Sequence, residues 1–311
     1  MSEGLSIEVA RLAGRLGRFL SDALPCSEGP VAQNLAFLRA MAESLGQRQP
    51  ATSDSPALER LAAKLKFRPQ DIEWLLLAGM PEDHEGYAAV FRTLHPRGEP
   101  RPTTGLLAQL FADGSRPSFR QRFESATVIQ SGAVKAVGEV PFFEKSLELA
   151  GSLWPILHGC DVWPDSLPRE ESPGACQGLA EWLESANVAR ARRALQQQQA
   201  CTVLLTADSE DTAFQRGMAL ATAAGRQPVG FTLSGAAEPE RWRALKIHAL
   251  ARGVVPVLRV PGRETPVPPE AAGFEDYPDA VVICARPGAV STQGMRPLIA
   301  AFAERLSAEA R

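Results

Sequence analysis

Residues 201–224 (CTVLLTADSEDTAFQRGMALATAA) set a short apolar strand, a polar loop and a helical segment in the order used by phosphate-binding loops. Such a loop needs glycines so that backbone N–H groups can close around phosphates, a lysine for the β and γ oxygens, and a hydroxyl for magnesium. Here it reads Thr206, Ala207, Asp208, Ser209, Glu210, Asp211, Thr212, without a glycine and with Asp211 where the lysine belongs. Carboxylates at a helix amino terminus serve as caps and dipole partners, but they repel a triphosphate at distances where Coulomb terms reach about 1 kcal/mol or more. The apolar run 254–260 (VVPVLRV) is where such folds carry the acid that orders magnesium and the acid that activates water. It ends instead in Arg259 and Pro261. Glycines, lysine and acids are lost together, so the loop is expected to cap a helix. No catalytic residue, bound cofactor or metal is expected there.

Other chemistry-bearing residues are dispersed. A helix over 103–111 followed by Arg116, Arg120 and Arg122 could contact a nucleic acid or a protein partner. Leu106, Leu107, Leu110 and Phe111 read as core, and few cations accompany Thr103, Thr104 and Gln109, so a protein contact is the expectation. His84, His95, His158 and His248 lack metal-ligand spacing and read as surface or capping residues. Ser131, Ser234 and Ser291 lie near turns with no nucleophile elbow. The five cysteines are scattered, without a CxxC pair. That argues against a disulfide framework or a zinc site and fits a reducing cytoplasm.

The elements that would position these residues follow from periodicity. Apolar residues recur at helical spacing over 5–24 and 31–45, predicting an amino-terminal helical hairpin at 1–50, and PATSDSP at 50–56 reads as a linker. Helices are predicted over 57–65, 70–79 (opened by Pro69 and closed at Gly79-Met80-Pro81), 87–94 and 103–111. Strands are expected at 126–130, 134–137 and 142–149, with a turn at Ser131-Gly132, so 57–159 reads as a winged-helix-like domain. The stretch 160–178 (CDVWPDSLPREESPGACQG) has linker chemistry. A helix over 179–199 follows, with Leu179, Trp182, Leu183, Ala186 and Ala189 on one face. Strands at 202–205, 228–233, 254–260 and 280–285 then alternate with helices at 213–225, 239–251 and 296–307, the pattern of a parallel α/β sheet domain over 179–311.

A net charge of −3 over 311 residues provides no global field toward nucleic acid or an anionic membrane. The opening MSEGLSIEVARL carries two glutamates and does not read as a signal peptide. No apolar run approaches the roughly 20 residues needed to cross a bilayer.

Three stretches, LERLAAKLKFRPQDIEWLLLAGMPEDHEGYAAVF, RPTTGLLAQLF and PFFEKSLELAGSLWPILHG, resemble the winged-helix region ahead of AAA+ modules in bacterial ATPases, including those associated with extracellular contractile injection systems. LLTADSEDTAFQRGMALA lies where that family has LLxGPPGSGKTxLAxALA, and DAVVICARPGA is similar to its sensor-bearing strand, followed here by Arg286. The resemblance implies a helical amino-terminal region, a winged-helix-like middle domain and a Rossmann-like, degenerate AAA+-core α/β domain. With the hydrolytic residues absent, the expected function is a non-catalytic scaffold or adaptor. Its expected partner is a protein such as an active AAA+ ATPase or a contractile injection assembly. One alternative is an AAA+ ATPase subunit or fragment that binds ATP and magnesium weakly. The other is a winged-helix DNA-binding regulator.

Overall fold

The structure is a computed structural model that describes residues 3–23, 28–46, 55–111, 116–170, 178–233, 239–261, 274–290 and 296–303. The chain divides into two compact units, Met1–Val162 and Trp163–Arg311. Much of the 50–56 and 160–178 linkers, with Ser234 and Ser291, lies outside the described residues.

The first unit opens with α1 (Glu3–Ala23) and α2 (Gly29–Gly46). Leu5, Val9, Leu12, Leu16 and Leu20 of α1 are buried, as are Leu35 and Leu38 of α2. Five helices follow: α3 (Pro56–Leu65), α4 (Pro69–Asp83), α5 (Glu85–Leu94), α6 (Thr104–Phe111) and α7 (Arg116–Ser125). Pro69 opens α4 as expected, yet the helix runs through Pro81 to Asp83 and does not stop at Gly79. Gly79 serves packing: a Cβ there would overlap the Trp154 ring. Gly86 likewise leaves room for Phe37 of α2, whose ring packs edge-on to Tyr87 at 5.1 Å.

The segment predicted as a strand at 126–130 is a helical turn, α8 (Thr127–Gln130), because buried Asp71 caps it, Oδ1 accepting from Val128 N at 3.3 Å. The expected strands at 134–137 and 142–149 form one antiparallel hairpin of β1 (Val134–Val137) and β2 (Ser146–Leu149). Residues 142–144 form a 3-10 turn ahead of β2. Thr103 bridges to Ser146 just before α6, and α9 (Leu153–Leu157) completes the unit. His95 is buried, not a surface residue. Its Nδ1 accepts from Arg97 N at 3.0 Å, so Nε2–H faces Ser146 Oγ at 3.0 Å, and that hydroxyl donates to Glu99 Oε2 at 2.5 Å.

In the second unit the helix expected over 179–199 breaks at Ser185 into α10 (Ala180–Glu184) and α11 (Ala186–Gln196). The break changes the inward face: Val188, Ala191, Ala194 and Leu195 are buried, while Ala186 is exposed. The strands β3 (Thr202–Thr206), β4 (Pro228–Thr232), β5 (Val255–Arg259), β6 (Val281–Ala285) and β7 (Leu298–Phe302) form one parallel sheet ordered β4-β5-β6-β3-β7. α12 (Glu210–Ala223) packs closely on it, since a Cβ on Gly217 would overlap Cys284 Sγ. On α13 (Pro239–Arg252), His248 is fully buried and stacked on Trp163 at 5.6 Å, which corrects its surface assignment.

β7 corrects the helix expected over 296–307. Only Leu298–Phe302 and its flanks are described, and they run parallel to β3, with Thr202 N bonded to Pro297 O at 2.9 Å and Ala303 N to Thr206 O at 2.8 Å. Ile299 and Ala301 are buried while Ala300 and Phe302 are exposed, the period of two that an edge strand requires.

Candidate functional site

β3 sits between β6 and β7, and the chain leaves it for β4 at the far edge of the sheet. Strand order therefore reverses direction at β3, and in open α/β sheets the carboxyl ends beside such a switch point frame the crevice where ligands bind. The carboxyl ends found there are Thr206, Arg259 and Ala285, followed by the loop 207–209 and by Arg286.

Hydrogen bonds hold these ends in register. Ala207 N donates to Ala285 O at 3.2 Å, and Val260 N to Cys284 O at 2.8 Å. The loop 207–209 is short, and Ser209 ends it as the amino cap of α12. Its Oγ accepts from Thr212 N at 3.1 Å and lies 2.9 Å from Thr212 Oγ1. The amide and hydroxyl that a phosphate-binding loop would turn toward its ligand are thus engaged with a side chain of the protein.

The expected acidic residues are brought together, and each of the two in the first turn of α12 faces an arginine. Arg286 Nε lies 2.6 Å from Glu210 Oε2. The Arg259 guanidinium forks between Asp211 Oδ1 and Glu170 Oε2 and lies 4.4 Å from the centroid of the Phe214 ring. Thr232 Oγ1 also donates to Glu170 Oε1, so Glu170 fastens the segment 163–170 along the β4 edge. Thr206 is half-buried with its Oγ1 3.5 Å from Ala301 O, and Asp208 is exposed. Sequence reasoning found Asp211 and Arg259 separately but missed their pairing, because they stand 48 positions apart. Glu170 and Phe214 carried no signal at all.

Asp211 lies in the first turn of α12 and Arg259 ends β5, so an acid and a cation meet at this edge. Cys284 is fully buried beneath this edge, and burial pushes its thiol up despite the nearby Arg259.

The three arginines expected to contact a partner, Arg116, Arg120 and Arg122, all lie on α7, and only two share a face. Arg116 and Arg120 are exposed, with guanidinium carbons 5.3 Å and 5.1 Å from the centroids of Phe143 and Phe142. Arg120 also pairs with Glu124 at 2.8 Å, whereas Arg122 is half-buried. No family model matches the chain, and comparison with curated proteins and with solved structures likewise found no match.

Proposed function

We propose that the chain is a non-catalytic scaffold or adaptor built on a degenerate AAA+-like module, and that it docks another protein, an active AAA+ ATPase or a contractile injection assembly being the fitting partner. The observation that carries this reading is the inverted charge at the carboxyl edge, where Asp211 meets Arg259 and Glu210 meets Arg286. An ATPase turns a lysine and amide groups toward phosphate and an acid toward magnesium; this edge offers the opposite signs and closes them on one another.

The strand order adds support. Numbered within the second unit, the sheet runs 2-3-4-1-5, with the loop-bearing strand between the fourth and fifth, which is the order of an AAA+ core. In the first unit, α6 set against the β1–β2 hairpin and the Thr103 bridge suits the winged-helix-like part of the same reading.

Isothermal titration of the protein with ATP and magnesium is expected to give no heat of binding. A micromolar dissociation constant would overturn the proposal in favour of a weakly binding ATPase subunit. Purification of the full chain from its source is expected to bring down an intact AAA+ ATPase or an assembly component in stoichiometric amount.

A further inference from the structure

The first unit contains a cavity of about 620 Å³ between the carboxyl ends of α1 and α5 and one face of α6. Its volume falls within the roughly 300–1,000 Å³ of ordinary ligand and anchor pockets. Phe19, Leu94, Leu106 and Ala108 supply apolar lining, and Gln109 and Arg116 stand exposed at its margin. One wall is rigid. Gly105 lies so close to the Phe143 carbonyl that a Cβ would overlap it, Thr104 N donates to Lys145 O at 2.9 Å, and Thr103 Oγ1 accepts from Leu106 N at 3.0 Å.

The charge of the lining is one-sided. Among the described residues that line the cavity Arg116 is the single ionisable one, and it has no ion pair with a described carboxylate. Its guanidinium is held over the Phe143 ring at 5.3 Å, so little side-chain freedom remains to be lost when an anion binds. An apolar hollow beside a positioned arginine is complementary to an apolar side chain that carries a carboxylate next to it. Thr93, Pro96 and Gln109 stand exposed at the margin, where a chain segment can meet them.

We infer that this cavity is a docking site for a peptide segment of the partner protein, which inserts a Leu- or Phe-class side chain and sets an adjacent Asp, Glu or terminal carboxylate on Arg116. The inference rests on the adaptor reading for the existence of a partner, but its test is independent of nucleotide.

A random dodecamer peptide library displayed on phage is selected against the full chain, and the enriched peptides are synthesised and titrated. Peptides that pair an apolar anchor with a carboxylate are expected. They should lose at least about tenfold in affinity on Ala108→Trp, which fills the cavity, and on Gln109→Trp, which blocks its mouth from an exposed position that folding does not depend on. Arg116→Glu should abolish binding of the acidic peptides and restore it for versions in which the carboxylate residue is changed to Lys. A purely structural role for Arg116 would not produce that swap. Enriched peptides lacking carboxylates, or binding all the variants as well as the original chain, would overturn the inference. If ATP binds while the peptide arms behave as expected, the adaptor reading falls and the docking site stands.

Discussion

Asp211 and Arg259 carry the proposed function, and the energetics of their pair are modest. Asp211 is largely exposed, so the pair contributes at most about 1 kcal/mol to stability, the range of surface ion pairs. Under the proposed reading its consequence is chemical, because it places each charge where a nucleotide site would need the opposite. Asp211→Lys therefore does not create a nucleotide site. The new lysine faces Arg259, the loop 207–209 still lacks glycines, and titration with ATP and magnesium should remain silent while stability falls by about 1 kcal/mol. Binding in the micromolar range by this single variant would show that one charge alone closes the site. A second residue-scale expectation concerns His95, whose imidazole burial holds below its usual range, with Glu99 opposing that shift and Arg97 adding to it. Glu144 also opposes it. A folded-state value below the unfolded value near 6.5 means that the unfolded chain takes up the proton first, so stability is full above about pH 6.5 and declines as pH falls through the histidine range. Protonation also puts a hydrogen on Nδ1, which now accepts from Arg97 N. Urea unfolding at pH 7.5 and 5.5 should show a loss of stability on acidification that is smaller in His95→Gln; an equal loss in both proteins would sink the assignment.

At the scale of elements, β7 offers the sharpest test, because a helix and an edge strand respond differently to proline. Register with β3 turns the N–H groups of Ile299 and Ala301 toward β3 and that of Ala300 away from it. Ala301→Pro should therefore cost at least about 1–2 kcal/mol more than Ala300→Pro, measured by chemical denaturation; comparable costs at the two positions would mean a helix. The same element marks how far the sequence is legible. The strands β3, β5 and β6 are legible because their Val, Ile and Leu runs are buried on both faces, and the start of α12 is legible from its polar loop, although Ser209 is the cap and the acids expected to cap, Glu210 and Asp211, pair with arginines. Alanine-rich IAAFA around β7 suits a helix by propensity, and only pairing with β3 makes it a strand. The end of α4 was misread for a related reason: Gly79 and Pro81 signal a stop locally, while Trp154, distant in sequence, gives Gly79 a packing role. Of the candidate site, the loop residues were visible from the chain. Their pairing with Arg259 and Arg286 was not, because ion pairs across strands leave no periodic trace.

Across the whole molecule, charge bears on what the chain can hold. A duplex-binding protein gathers cations on one face and releases counterions, so its affinity falls steeply with salt. Here the net charge is −3 and the basic helix α7 divides its arginines. Arg120 is paired with Glu124 and stacked on Phe142, Arg116 is stacked on Phe143 at the margin of the cavity, and Arg122 lies on another side of the helix. α6, the helix placed to enter a groove, has Thr104, Leu106, Leu107, Ala108, Leu110 and Phe111 buried and leaves Gln109 exposed. The surface beside the β1–β2 hairpin thus couples aromatic rings to arginines, a composition enriched where proteins meet proteins. Mobility-shift titration of the protein with duplex DNA at low salt should show no shift. A shift that weakens with added salt, and weakens further when Arg116, Arg120 and Arg122 are neutralised, would restore the DNA-binding alternative. In that case Arg116 would serve phosphate, and its charge-swap with Lys-bearing peptides should fail.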